Sequence, residues 1–351
     1  MTAEPVSASF CRALPKVELH AHLSGSISRE TLHQIWRQKK NEEPNLPLED
    51  PLIGMPPGKM QVDIVSFFPL FDKYIYSLLN TASSIRSSTL SVLQDFADDG
   101  VACAEIRTTP RAVPSSNITK DDYVSIVLDT FAAFNAEQDK MHARLILSID
   151  RRNTLQEAEH VVDLALKYAD KGVVGVDLCG NPLRGDVSLF APAFSRARRN
   201  GLAITLHFGE VAESGRTAEL ECLLSYQPAR IGHVIHMAED VKKEIQRRRL
   251  GLELCLSCNV LAKMTAGGIG EHHFGEWRRT ECPIALSTDD VGIFESSLSN
   301  EYYLAAKHFD LSKSDLVQLC KSAASTIFGG EEEGTRLAKL LDAFVASLSA
   351  Q

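Results

Sequence analysis

Several things this chain lacks narrow its role at once. No apolar run in its 351 residues approaches the roughly 18 to 20 that a bilayer-spanning helix needs, so no membrane role is expected. A basic surplus is missing too: 46 Asp and Glu outweigh 37 Lys and Arg, for a formal charge of -9. Such a surface does not suit a nucleic-acid polymer, whose binding depends on neutralising phosphates. It still allows one small anion held by a local Arg. The opening residues Met1-Thr2-Ala3-Glu4-Pro5 carry no basic stretch ahead of an apolar core, so a signal peptide is not expected. A second cysteine pair is also absent. Cys255 and Cys258 form a CxxC with no matching pair to complete a zinc cluster, and they are read as strand core. The eight cysteines lie mostly in apolar runs such as Val101-Ala102-Cys103-Ala104, as free buried thiols do in a reducing cytoplasm.

What is present is a repeat of short apolar segments separated by amphipathic ones. Strands are expected at 16–22, 101–107, 144–150, 173–179, 202–207, 230–233, 252–256 and 283–287. Helical spacing of apolar residues marks intervening runs such as 89–98, 155–169, 189–199 and 238–248. Alternation of this kind, repeated eight times, predicts an α/β fold: a TIM (β/α)8 barrel with a closed parallel sheet. Gly100, Gly172, Gly201 and Gly251 each stand just before a strand, where a glycine caps the preceding helix. One domain is expected over residues 1–351. Residues 41–58, with Pro44, Pro47, Pro51, Pro56 and Pro57, form an irregular insertion after the first strand and helix, either a lid or a surface excursion. The stretch 297–348 reads as additional C-terminal helices on the outside of the barrel, with Leu304, His308, Leu311, Leu316 and Leu319 as packing positions.

Three clusters close apolar runs with imidazoles and carboxylates: His20-Ala21-His22, His207-Phe208-Gly209-Glu210 and Thr288-Asp289-Asp290. His at positions i and i+2 of a strand point to one side, about 7 Å apart. Catalytic groups of a barrel sit at the C-terminal strand ends, and His20, His22, Asp150, His207, His233 and Asp289 all fall there. Three His and one Asp make a nitrogen- and oxygen-rich shell for one Zn2+ per chain, with a position left for water. His20, His22, His207 and Asp289 are the expected ligands. Glu210, three residues past His207, is placed to move a proton, and His233 to orient the attacking oxygen. Asp290 turns another way from Asp289, towards a substrate. His272 and His273, expected on a mobile loop nearby, have no ligand spacing.

Five motifs in order resemble the adenosine deaminase family over nearly the whole chain. They are Leu19-His20-Ala21-His22-Leu23, Asp177-Leu178-Cys179-Gly180, His207-Phe208-Gly209-Glu210, Arg230-Ile231-Gly232-His233 and Ser287-Thr288-Asp289-Asp290. The resemblance implies zinc on His20, His22, His207 and Asp289. It implies Glu210 as proton shuttle to the purine ring nitrogen, His233 beside the attacking hydroxide, and Asp290 with the backbone of Gly180 on the purine edge. The implied reaction is hydrolytic loss of an amine from purine carbon 6.

Two departures refine this. Ordinary members carry Asp two residues after the second His, against the ribose 5′-hydroxyl; this chain has Ser24, which removes repulsion against a 5′-phosphate. The strand ending in Thr108-Thr109-Pro110-Arg111 puts a guanidinium at a strand end, where it is either a phosphate partner or a surface charge. With Ser148-Ile149-Asp150-Arg151-Arg152 and His272-His273-Phe274-Gly275, these features look like the adenosine deaminase-like branch. That branch implies N6-methyl-AMP as substrate, with IMP and methylamine as products. It more often has Asn where Ser24 stands, and Tyr76 falls where it has a phosphate-proximal His. Ser24, Tyr76, Thr108, Thr109, Pro110, Arg111 and Asp150 are thus expected around the nucleotide, and a monomer is expected to suffice. Rival readings are an adenosine or adenine deaminase on the same zinc centre, and a secreted growth-factor-like binding protein, for which no signal peptide is apparent. No H-x-E followed by P-C-x-x-C is present, which excludes the cytidine-deaminase type of site.

Overall fold

Strands that are apolar on both faces must be covered on both faces, and a helix after each strand does this. In the computed structural model, which describes residues 5–56, 58, 63 and 68–349, the chain takes that solution. The strands are β1 (Lys16–His22), β2 (Val101–Thr108), β3 (His142–Asp150), β4 (Val173–Cys179), β5 (Ala203–Phe208), β6 (Arg230–His233), β7 (Gly251–Leu254) and β8 (Ile284–Leu286). They pair in parallel and in sequence order from β1 to β8. The eight-stranded TIM barrel read from the sequence is therefore present.

Outer helices follow the expected alternation: α1 (Ala8–Ala13), α2 (Arg29–Glu42), α3 (Ala82–Asp98), α4 (Lys120–Glu137), α5 (Leu155–Lys167), α6 (Ala191–Arg199), α7 (Thr217–Ser225) and α8 (Glu239–Arg248). Local sequence starts several of them. Thr119 and Thr154 each accept the backbone N–H three residues on, while Asp122 and Glu157 bond back to the cap, closing capping boxes on α4 and α5. After β7 come α9 (Leu256–Leu261), and after β8 the short α10 (Val291–Phe294), then α11 (Leu298–Phe309), α12 (Lys313–Ala324) and α13 (Gly330–Ser349). No helix among the described residues is long and apolar enough to cross a membrane.

Closure of the barrel falls on one residue. Asp289 forms a parallel bridge with Ala21, accepting from the His22 N–H at 2.9 Å and donating to the His20 carbonyl at 2.9 Å. It does so in a left-handed conformation, φ 62°. Lower in the barrel, Glu18 accepts from the His20 N–H and from the Thr288 N–H and hydroxyl, at 2.8, 3.0 and 2.9 Å, tying the same two staves.

The structure corrects parts of the sequence reading. β7 ends at Leu254, so the CxxC is not strand core: Cys255 precedes α9 and Cys258 lies within it. Gly251 opens β7 rather than capping a helix, and Arg249 takes the left-handed cap of α8 at φ 51°. His308 is exposed, whereas Leu298, Tyr302, Leu316 and Cys320 carry the packing of α11 and α12. In the 41–58 insertion, a helical turn at Pro51–Gly54 packs against α2, and Pro57 lies outside the described residues.

Gly100 caps α3 at φ 79°, and a Cβ there would fall 2.1 Å from the Arg12 carbonyl. Left-handed strain and that clash together predict that Gly100→Ala lowers the unfolding free energy by about 1–3 kcal/mol. Chemical denaturation of the variant beside the parent chain measures it.

Candidate metal centre and substrate pocket

Two carboxylates buried inside the barrel fix two imidazoles. Glu253 on β7 accepts from His20 Nδ1 at 2.5 Å, and also from Arg107 at 2.6 Å, Arg230 at 2.6 Å and Thr205 at 2.8 Å. Asp177 on β4 holds His207 Nδ1 at 3.2 Å, itself steadied by the Ser148 hydroxyl at 2.9 Å and Arg107 at 3.2 Å. A carboxylate on Nδ1 keeps the proton there and turns a bare Nε2 to the other side, the arrangement that orients metal-binding histidines. Burial, then Arg107 and the neighbouring imidazoles, hold His20 well below the usual imidazole pKa. At His207 burial works downward, but Asp177 and Glu210 outweigh it and leave the ring raised.

The bare nitrogens converge. His22 Nε2 lies 3.0 Å from His207 Nε2 and 3.4 Å from Asp289 Oδ1, and His20 Nε2 lies 3.6 Å from the same oxygen. One donor atom from each of His20, His207, His233 and Asp289 falls within 4.8 Å of the others. His20 Nε2 and His233 Nε2 are buried with no hydrogen-bond partner. A buried nitrogen without a partner is costly: a divalent cation would satisfy a bare one such as His20 Nε2, and an acceptor one that carries its proton. The donor set thus fits such an ion.

Next to this cluster stands Glu210, two residues past β5 and buried. Its Oε1 is 3.9 Å from His233 Nε2. Burial pushes its carboxyl up to about 7, with His207 pulling down and Asp289 pushing up. Asp290 is buried with Oδ1 unpartnered, and burial, then Asp289 and Glu210, raise it well above the carboxylate range. Each is a carboxyl able to hold a proton near neutral pH.

These groups form one side of a cavity of about 960 Å3, open to solvent. Phe68, Phe71, Met264 and Phe294 give it apolar walls, and Ser24, Tyr76, Thr108, Thr109, Arg111, Asp150 and Gly180 are among its other lining residues. Arg111 sits 5.1 Å from the centre of the Tyr76 ring and 5.4 Å from that of Tyr123, and donates to the Leu79 carbonyl. Asp150 takes the Arg152 guanidinium through two bonds, at 2.9 and 2.7 Å. Pro110 is buried away from the cavity and is not part of its lining, a correction to its expected role. None of the lining comes from the described residues of 41–58; the wall on that side is supplied by 68–76, which includes the π-helical turn Phe71–Tyr76.

Sequence reading missed several contributors. Glu253, Asp177 and Arg107 orient the imidazoles from inside strands, and the available signal was a charge in an otherwise apolar run. Cys258 donates its thiol hydrogen to Asp289 Oδ2 at 2.9 Å, a role its place in a CxxC did not suggest. Arg152 adds a second cation to the cavity. His272 and His273 are not on an open loop: they stack at 4.0 Å between ring centres, and both bond to the segment carrying His233 or its neighbour Asn259.

Comparison with known proteins gives one coherent picture. The family model described as adenosine deaminase matches residues 15–344. The chain is 35% identical to an N6-mAMP deaminase of Arabidopsis thaliana, over 95% of this chain and 98% of the relative. It is 33% identical to the N6-methyl-AMP deaminase of Homo sapiens, over 96% and 95% respectively. A crystal structure of Arabidopsis ADAL complexed with IMP superposes with a TM-score of 0.88 at 35% identity, covering 95% of this chain and 98% of that one.

One residue of the motif set is predicted to matter through space alone. A Cβ on Gly232 would lie 2.3 Å from His20 Cε1. Gly232→Ala should push the ring off Glu253 and weaken any divalent metal held by the cluster roughly 10- to 100-fold, as loss of an orienting partner does. Zinc titration against a chelating indicator measures this.

Proposed function

This chain belongs to the adenosine deaminase family, and from that premise we propose that it hydrolyses the amine from carbon 6 of a purine nucleoside monophosphate, N6-methyl-AMP in particular, giving IMP and methylamine. The observation that carries the proposal is a single cavity joining the His/Asp cluster and Glu210 to Arg111 and Arg152. One end suits the purine amine and the other a phosphate.

In this reading His20, His22, His207 and Asp289 would hold one zinc ion, which when bound would make water a nucleophile at neutral pH. His22 takes precedence over His233 as ligand because its Nε2 lies 3.0 Å from His207 Nε2 and 3.4 Å from Asp289 Oδ1, whereas His233 Nε2 lies 3.8 Å from Asp289 Oδ2. Glu210 delivers its proton to the purine ring nitrogen beside carbon 6, drawing electron density from that carbon as oxygen adds. The proton it delivers comes from the attacking water, and the resulting carboxylate then collects the proton remaining on the added oxygen and passes it to the departing amine. Carbon 6 gains one oxygen from water and releases methylamine. Asp290 and the backbone N–H of Gly180 hold the edge of the purine. The buried, water-poor setting strengthens each of these contacts.

At the mouth, Arg111 takes the 5′-phosphate, held in place by the Tyr76 and Tyr123 rings. Tyr76 and Ser24 line the same cavity. Ser24 brings no carboxylate to repel the phosphate, and Thr108 and Thr109 complete the wall. The site is built from one chain, so a monomer suffices, and eight unpaired cysteines suit a reducing cytoplasm.

Side-by-side assay of N6-methyl-AMP, AMP, adenosine, N6-methyladenosine and adenine tests the substrate class: the methylated monophosphate should show the highest kcat/KM, and a preference for adenosine or adenine overturns it. Arg111→Ala should cut kcat/KM for the monophosphates about 10- to 100-fold and spare the nucleosides, the scale of a lost charged hydrogen bond. Glu210→Gln should retain zinc by elemental analysis while turnover falls about 10²- to 10⁴-fold, the usual worth of acid–base help.

A further inference from the structure

Behind His233 lies a hydrogen-bonded chain that settles which of its nitrogens carries the proton. His233 ends β6 at φ 65°, and Val234 follows at φ 49°. A β-branched residue in the left-handed region is a real outlier, and such strain persists only where surroundings enforce it. Here His273 Nε2 donates to the His233 carbonyl at 2.6 Å, and the Trp277 indole reaches the Val234 carbonyl at 3.4 Å. This clamp aims the His233 ring so that Nε2 faces Asp289 Oδ2 at 3.8 Å and Glu210 Oε1 at 3.9 Å. Nδ1 faces the other way, 3.0 Å from the Asn259 side-chain amide.

An amide can present either its oxygen or its NH2, so the direction of this bond needs a fixed reference. The Phe274 backbone N–H provides it. A backbone N–H only donates, and it points at His272 Nδ1 at 3.0 Å. That nitrogen is therefore bare. His272 is buried, and burial with the neighbouring His273 keeps it neutral, so its one proton sits on Nε2. Nε2 lies 3.1 Å from Asn259 Oδ1. The amide oxygen thus faces His272 and the NH2 faces His233, with its second hydrogen towards Met264 Sδ at 3.6 Å. A donor at His233 Nδ1 demands a lone pair there.

We propose that Asn259 and His272 are positioning residues that select the Nε2–H tautomer of His233, so that it meets the attacking oxygen as a hydrogen-bond donor and leaves proton transfer to Glu210. This rests on the hydrolytic reading above. It also separates His233 from the ligand set, since a protonated Nε2 offers no lone pair to a cation.

The test reads the tautomer directly. In zinc-loaded protein labelled with ¹⁵N-histidine, and with the signals assigned from a His233→Gln sample, His233 should show a bare Nδ1 and a protonated Nε2. Asn259→Asp keeps the shape but presents an oxygen to Nδ1, so the two nitrogen signals should exchange character. With that exchange, kcat should fall about 10- to 100-fold while KM and zinc content stay unchanged. His272→Gln retains a donor for Asn259 Oδ1 and should keep most of kcat; His272→Leu frees the amide to turn and should not. A protonated Nδ1 in the parent protein, or Asn259→Asp with undiminished kcat, overturns the proposal. Failure of the parent chain to deaminate any of the five purines would instead sink the hydrolytic reading, and the NMR result would stand apart from it.

Discussion

Asp289 carries two duties through one conformation. Its backbone closes β8 onto β1 between His20 and His22, and its left-handed φ turns the carboxylate into the mouth of the barrel, among the imidazoles of those same residues. Sheet closure and ligand convergence are therefore one event. A barrel left open along this seam would separate His20 and His22 from Asp289 and lose both pairing and site.

Beneath the seam lies an array of buried charges: Glu105, Arg107, Asp177, Arg230 and Glu253 are at most 1% exposed. Charges taken so far from water survive only when fully paired. Arg230 bonds Glu105 at 2.7 Å and Glu253 at 2.6 Å, and Arg107 links Glu253 to Asp177. The array adds little net stability by its presence, but it determines where the two Nε2 atoms point. It accounts for charged residues inside strands that otherwise read as apolar.

The barrel was legible because its strands are short apolar runs bounded by turn residues, and because helix starts carry their own caps, as at Thr154. The His/Asp cluster was legible because His20, His22, His207 and Asp289 end strands with groups that packing does not require. The rest depended on tertiary context. The strand expected over 252–256, with the CxxC as its core, overruns the structure: β7 stops at Leu254, and the Ser257 N–H instead meets the Glu301 carboxylate from α11 at 3.0 Å. Arg249 rather than Gly251 caps α8, since nothing local to the sequence forbids a left-handed Arg. Pro110 shared a motif with Arg111 but turned inward. Asn259 and His272 carried no spacing signal, because their roles arise from a backbone N–H contributed by Phe274.

The plugged floor has a kinetic corollary. With side chains of the charge array filling the barrel below the imidazoles, the described residues leave the cavity open at its mouth, and in the proposed reaction whatever forms at the bottom backs out the way its precursor came. In that reading departing and arriving nucleotides contend for the same threshold, where Arg111 would meet a phosphate whichever base follows it.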